Sequence, residues 1–276
     1  MSLHKTEAII LRRFDFRETS LIVDLYTRDY GKLSGILKGI RAEPDKFASP
    51  MEVSSHNEVI FYKKTNTTLH LVSACDLKDN FFGIRKSMVK AGMAGIMMEL
   101  IASVMQPEDK NEDVFNLAIE CLKELENTFS PEKVMTIFKI KMLSLSGFKP
   151  HFDSCVSCDN RILGQSKFSL SLGGLLCDKC YYKDLSARAI FRGTIASILY
   201  IEKNSFKNNL NLGLNPQIKK ELEIILNAFL NFHLEKELKS QKVLNRLLAL
   251  GDATQGDTPA KFLSKNHQKA EKITVF

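Results

Sequence analysis

Two Cys-x-x-Cys pairs constrain the fold of this chain more than any other feature. The first pair is Cys155 with Cys158, the second is Cys177 with Cys180, and eighteen residues separate the two pairs. Each pair puts two sulfurs on one tight turn, and two such turns face to face give the tetrahedron of thiolates that Zn²⁺ prefers. The spacing is typical of zinc sites. Because four sulfurs leave no open position, we predict a structural zinc ion rather than a catalytic one.

The cysteine pairs also allow redox-active dithiols or disulfide pairing, and the sequence leaves these alternatives open. The segment between the pairs, KFSLSLGGLL at 167–176, fits a short strand followed by a Gly-Gly turn. We therefore predict a zinc-ribbon-like module over 151–185. The two other cysteines, Cys75 and Cys121, lie in apolar surroundings and are expected to be buried core residues.

The first 80 residues have an apolar period near two, which is typical of β-strands. Since five short strands in so short a stretch suggest a small barrel, we predict an OB-fold, a five-stranded barrel that binds oligonucleotides. This nucleic-acid-binding domain is expected to span 1–80. The predicted strands cover residues 7–14, 20–27, 31–39, 58–63 and 68–73.

OB-folds bind single strands by combining a basic groove with aromatic side chains on which bases stack. Five aromatic residues are interleaved with basic residues in the predicted barrel: Phe14, Phe16, Tyr30, Phe61 and Tyr62. Residues 1–80 hold 12 Lys or Arg against 11 Asp or Glu, so ordinary solvated charges around an aromatic core remain an open alternative. The basic candidates for nucleic-acid binding are Arg12, Arg13, Lys32, Lys38, Arg41 and Lys63.

From residue 84 the apolar period changes to three and four, which is typical of helices. A domain over 81–250 is therefore predicted to be helical, with the zinc module inserted, which makes the fold α+β. Five methionines between Met88 and Met105 fit either an adaptable peptide groove or an ordinary core. The polar, poorly periodic residues 251–276 are predicted to form a disordered tail. The predicted helices cover 84–105, 111–126, 131–147, 186–202, a long segment after Pro216, and 243–250.

The net charge of +7 is a mild indication of an anionic partner. Residues 139–193 carry the densest positive charge, with nine Lys or Arg against four Asp or Glu. No uncharged apolar run approaches the ~18 residues that span a bilayer, and the first residues lack an apolar signal core, so a reducing cytoplasm is expected. The six histidines are scattered and no phosphate-binding loop is present, so we do not expect an enzyme.

Several strings of residues occur together in one order: EAIIL at 7–11, RETSLIVDLYT at 17–27, YGKL at 30–33, KGIR at 38–41 and GFKP at 147–150, followed by the two cysteine pairs. Together they resemble the RecO family of bacterial recombination mediators. The resemblance covers about residues 4–248 and leaves the C-terminal tail outside.

The resemblance implies a non-enzymatic DNA-repair protein of the bacterial cytoplasm and nucleoid. Such proteins bind single- and double-stranded DNA and anneal complementary strands coated with single-stranded-DNA-binding protein. They associate with RecR and with the acidic, Phe-ended tail of that binding protein, and they help load RecA. By similarity, Lys38 and Arg41 would contact phosphates and the four cysteines would hold zinc. Two other classes stay open: a zinc-ribbon nucleic-acid-binding factor without annealing activity, and a protein-interaction adapter.

Overall fold

A closed five-stranded barrel forms the N-terminal part of the computed structural model, which describes residues 2–64, 67–162 and 164–255. The strand order is β1-β2-β3-β5-β4, and β4 returns to β1 to close the barrel. β3 and β5 run parallel, whereas the other neighbours are antiparallel. This is the arrangement of an OB-fold. The strands are β1 (Ser2–Phe16), β2 (Ser20–Thr27), β3 (Gly31–Leu37), β4 (His56–Lys63) and β5 (Leu69–Asp79).

β1 closes the barrel because it is long enough to pair with two partners. Its first half pairs with β4, starting at Ser2 opposite Lys63, and its second half pairs with β2, ending at Phe16 opposite Ser20. Successive side chains of a strand point to opposite faces. Ala8 and Ile10 accordingly belong to the barrel core, whereas Ile9 and Leu11 belong to the core of the helices.

Eight α-helices make up most of the chain after the barrel within the described residues. Asn111 and Asn215 act as N-caps, because their side chains accept hydrogen bonds from the backbone N–H of Val114 and Ile218. The helices are α1 (Phe82–Arg85), α2 (Met88–Val104), α3 (Glu112–Asn127), α4 (Pro131–Leu145), α5 (Arg192–Lys203), α6 (Phe206–Leu210), α7 (Pro216–Leu234) and α8 (Lys239–Gln255).

The last helix, α8, is longer than the predicted segment 243–250. Its first turn is capped from another helix: the carboxylate of Glu99 in α2 accepts hydrogen bonds from the backbone N–H of Lys239 at 3.0 Å and of Ser240 at 2.7 Å. The helix continues to Gln255, so the first five residues of the predicted tail are helical. The rest of the predicted tail, 256–276, lies outside the described residues.

The methionines of α2 are core residues rather than a groove. Met93, Met97 and Met98 are buried against the other helices, and only Met88, at the first turn, is largely exposed. Cys75 and Cys121 are buried as predicted. Burial raises the pKa of the Cys75 thiol to about 12, so this thiol stays protonated.

A small four-stranded sheet is inserted between α4 and α5. Its order is β6-β8-β7-β9, and the turn before β8 contains Gly173 with φ +68°, a conformation that glycine adopts without strain. The helix predicted over 186–202 begins only at Arg192, because residues 188–189 pair with β7. The strands are β6 (His151–Cys155), β7 (Ser166–Ser169), β8 (Gly174–Cys177) and β9 (Arg188–Ala189).

The predicted α+β fold, an OB barrel followed by helices with an inserted cysteine module, is therefore confirmed.

One face of the barrel packs into the core of the helices. Ile9, Leu11 and Tyr26 of the barrel pack in the same cluster as α2 and α3. Polar contacts reinforce the join, since the guanidinium of Arg28 bridges Glu7 and Glu112, each at 2.9 Å, and lies over the ring of Phe115 at 4.7 Å. Among the described residues, no helix combines the length and the apolar character needed to cross a membrane.

Candidate nucleic-acid interface and metal centre

The exposed cations Arg13, Lys38 and Arg41 gather at one end of the barrel, which we call the turn end. The register explains the gathering. The β1–β2 turn at 17–19 lies at this end, and β3 finishes beside it because Leu37 pairs with Leu21. Lys38 follows directly, and the backbone N–H of Arg41 bonds to the carbonyl of Thr19 at 3.0 Å.

Both guanidinium groups at the turn end are held in place although their side chains are exposed. Arg41 donates to the backbone carbonyl of Arg17 at 3.2 Å and lies 3.5 Å from the carboxylate of Asp15. Arg13 donates to the carbonyl of Pro50 at 3.1 Å. A planar guanidinium with unused N–H groups in a fixed orientation is well suited to phosphate.

Four acidic residues share the turn end with Arg13, Arg17, Lys38 and Arg41, so its net charge is close to zero. Asp15 and Glu18 lie beside the β1–β2 turn, and Glu43 and Asp45 lie in the segment after β3. Phosphate binding here therefore depends on where the cations are placed rather than on a large net charge.

The other three basic candidates lie away from the turn end or are engaged by other groups. The ammonium of Lys32 donates to the carbonyl of Ala102 in α2 at 2.8 Å, and burial lowers the pKa of Lys32. Lys63 forms an ion pair with Glu108 at 2.5 Å. Arg12 is exposed but points to the opposite face of β1 from Arg13. The structure thus divides the six candidates into two groups, and their contact with DNA stays a prediction.

The aromatic candidates also differ in whether a base can reach them. Phe14 is 50% exposed, on the same strand face as Arg12, and is available for stacking. Phe61 belongs to the barrel core, and Tyr30 packs against it. The sequence did not predict a pocket at the turn end, but the segment 40–50, which includes Arg41, lines one beside Arg13. Pro44 and Pro50 could have indicated a fixed loop there, because proline restricts the backbone.

The four paired cysteines form the second candidate site. Cys155 ends β6 and Cys177 ends β8. Cys158 lies in the turn after β6, and Cys180 lies in a short 3-10 helix, Asp178–Lys183, after β8. All four are free thiols whose sulfurs lie within 4.8 Å of one another, and the Sγ atoms of Cys158 and Cys177 are 3.8 Å apart. Zn–S bonds of ~2.3 Å in a tetrahedron require sulfurs about 3.8 Å apart. The site therefore fits zinc, whereas a disulfide needs about 2.0 Å.

The electrostatics of the cysteine cluster favour a bound cation. Burial raises the pKa of Cys155, but backbone N–H groups of Cys177, Ser157 and Cys158 directed at its sulfur outweigh this and lower the pKa to about 6. Burial and the three neighbouring thiols raise the pKa of Cys177 to about 12. The four sulfurs cannot all be thiolates without a cation among them, and a divalent ion would supply that charge.

Comparison with known proteins identifies the family. The model described as "Recombination protein O N terminal" matches residues 1–81, and "Recombination protein O C terminal" matches residues 85–242. The chain belongs to the RecO family. It is 30% identical to the DNA repair protein RecO of Syntrophus aciditrophicus over 255 residues, 90% of this chain and 97% of that protein.

Other relatives agree with this assignment. The DNA repair protein RecO of Dehalococcoides mccartyi (strain ATCC BAA-2266 / KCTC 15142 / 195) is 30% identical over 244 residues, 88% of this chain and 95% of that protein. That of a Thermoanaerobacter species is 29% identical over 248 residues, 90% of this chain and 99% of that protein. The family and its members support a role in DNA repair and recombination.

Proposed function

We propose that this protein binds single- and double-stranded DNA and anneals complementary strands that are coated with single-stranded-DNA-binding protein. With RecR it would help load RecA. The observation that carries the proposal is the turn end of an OB barrel, where Arg13, Lys38 and Arg41 are exposed and both guanidinium groups have fixed orientations. Membership of a DNA-repair family supports it.

Annealing brings two polyanions together, so a cationic surface has to reduce their repulsion. Contacts to phosphate oxygens carry no base code, and binding at the turn end should therefore be independent of sequence and sensitive to salt. The protein would act by holding strands, without a catalytic step of its own. Zinc in the cysteine cluster would be structural, because four sulfurs complete its shell.

The partners are part of the proposal. We infer that the helices receive RecR and the acidic, Phe-ended tail of single-stranded-DNA-binding protein, and that the protein acts in the bacterial cytoplasm at the nucleoid. The positive charge of residues 139–193 favours an acidic partner segment on this part of the chain.

A second candidate function is an adapter without annealing activity. It is favoured by a pocket of about 550 Å³ between the cysteine module and α5. Tyr181 and Phe191 give this pocket apolar walls, and Lys167 and Arg192 give it positive charge. Glu221 of α7 also lines it, but its carboxylate accepts a hydrogen bond from the backbone N–H of Phe191 at 3.1 Å, so the two cations outnumber the one acid. Such a pocket suits a short acidic peptide with an apolar side chain.

The test is annealing of complementary DNA strands already coated with single-stranded-DNA-binding protein, with and without this protein. Faster annealing, lost at high salt, is the expected result. If the folded protein with a full complement of zinc gives no acceleration, the annealing proposal is wrong. Salt-dependent DNA binding without acceleration would favour the zinc-ribbon factor, and no DNA binding at all would favour the adapter.

A further inference from the structure

A pocket of about 520 Å³ opens at the turn end of the barrel, and we call it the arginine pocket. Its volume lies within the range of about 300–1,000 Å³ that is common for small-molecule sites. Leu21, Ile40 and Phe47 form its apolar floor, and Arg13, Arg41 and Asp45 stand around it. We propose that the arginine pocket takes one unpaired nucleobase of a bound DNA strand, an inference that rests on the proposed DNA-binding function.

The floor of the pocket is part of the packed barrel. Leu21, Ile40 and Phe47 are 1%, 7% and 8% exposed, and they pack in one cluster with the buried Met51. Leu21 lies in β2, and the segment that carries Ile40 and Phe47 is fixed by its backbone. The backbone N–H of Phe47 bonds to the carbonyl of Pro44 at 3.1 Å, and Ala48 forms a parallel bridge with Asp76. The pocket is therefore formed before a ligand arrives, which lowers the entropic cost of binding.

The chemistry of the pocket suits a base better than a phosphate. Aliphatic and aromatic side chains form its floor, against which a planar ring can pack. The carboxylate of Asp45 would repel a phosphate inside the pocket, but it can accept hydrogen bonds from the amino group of a base. Arg13 and Arg41 lie at the same pocket, where guanidinium groups can hold the phosphates on either side of an inserted nucleotide.

This arrangement distinguishes single strands from duplexes. A base in a duplex is paired and stacked, and taking it out costs the free energy of unpairing and unstacking. An unpaired base avoids that cost. Bound strands would thus be held with one base withdrawn from its neighbours, which keeps a strand extended before it meets its complement.

The test fills the pocket from a position that is not part of the core. Ala48 is exposed and lines the pocket, so Ala48→Phe places a ring in the space that the base would occupy. Ala42→Phe is the matched control, because Ala42 is exposed in the same segment but does not line the pocket. Binding is measured by fluorescence anisotropy with a labelled thymidine strand, an abasic strand of the same length and a blunt duplex.

We expect the wild-type protein and Ala42→Phe to bind the thymidine strand about tenfold more tightly than the abasic strand, the contribution of roughly one stacked base. Ala48→Phe should lose this preference while its affinity for the duplex changes by less than about twofold. An unchanged preference in Ala48→Phe would overturn the inference, as would an abasic strand that binds the wild type as tightly as the thymidine strand.

A second measurement covers the case in which Ala48→Phe fails to fold. The chain contains no Trp, so Phe47→Trp gives a single reporter in the floor of the pocket. Base-bearing strands should change its fluorescence and abasic strands should not; the same response to both would contradict base insertion. If the wild type binds no DNA, the proposed function itself fails. If it binds DNA but Ala48→Phe keeps the preference, or Phe47→Trp responds equally to both strands, only the pocket inference fails.

Discussion

Arg41 illustrates how a side chain can be exposed and still have a fixed position. Its side chain is 40% exposed, yet its guanidinium bonds to the carbonyl of Arg17 and lies beside Asp15. An exposed ion pair of this kind contributes about 0–1 kcal/mol to stability. Its main effect is to orient the guanidinium of Arg41. Lys38, three residues earlier, adds a flexible ammonium at the same end of the barrel.

Reversing both charges at the turn end tests its role in DNA binding. We expect Lys38→Glu with Arg41→Glu to weaken binding sharply and to reduce the dependence of log K on log salt by roughly 2, because two phosphate contacts are lost. The measurement is a salt titration of binding to a labelled single strand.

The matched control for that titration is Lys219→Glu with Lys220→Glu, which makes the same change of charge at two exposed lysines of α7. It should leave the salt dependence close to that of the wild type. An unchanged salt slope in the Lys38 and Arg41 variant would show that the turn end is not the DNA site.

The cysteine module depends on its metal site because its strands are too short to bury a core. Its own buried cluster consists of Leu176, Ala187 and three of the four cysteines, Cys155, Cys177 and Cys180. Phe152, Phe168 and Leu175 of its strands pack into the core of the helices instead, so the cluster that belongs to the module alone is mainly the candidate metal site. Small modules of this type gain folding free energy from the metal.

Removing two of the four ligands should destabilise the module. Cys177→Ser with Cys180→Ser is expected to lose zinc and to lower Tm by about 10 °C, the shift expected for roughly 3 kcal/mol in a chain of this size. Elemental analysis and calorimetry measure the two effects. Cys75→Ala is the control, since it removes a buried thiol outside the cluster and should keep the zinc. Complete loss of zinc with an unchanged Tm would contradict a structural role.

At the scale of the whole molecule, the barrel is joined to the helices by a close approach of two backbones. The loop between α2 and α3 runs beside the start of β3, where the N–H of Glu108 bonds to the carbonyl of Lys32 at 3.0 Å. Gly31 has φ +64°, and a Cβ at this position would lie 2.3 Å from the carbonyl oxygen of Asp109. Only glycine fits here without moving the loop.

Two glycine substitutions distinguish the cost of crowding between the two backbones from the cost of backbone strain at a positive φ. Gly31→Ala should lower the free energy of unfolding by about 2–5 kcal/mol, from strain and overpacking together. Gly39→Ala is the matched control, because Gly39 has φ +80° but no atom within 4 Å of a Cβ, and it should cost only about 1–2 kcal/mol. Denaturant unfolding measures both. Equal costs would mean that the approach of the two backbones adds nothing to stability.

The sequence by itself determined the parts of this protein that depend on local pattern. Alternating apolar residues predicted the barrel, cysteine spacing predicted the four-sulfur cluster, and apolar residues three and four apart predicted the helices. These signals act between residues close in the chain. Tertiary structure decided which cations are free: Lys32 and Lys63 are held by Ala102 and Glu108, which are distant in sequence.

Tertiary structure also made residues 188–189 a strand, since their partner β7 supplies hydrogen bonds that a helix would otherwise make internally. It extended α8 through the cap from Glu99, and it folded the segment 40–50 over the end of the barrel to form the arginine pocket. Each of these features depends on contacts between segments that are far apart in the chain, and no local pattern encodes such contacts.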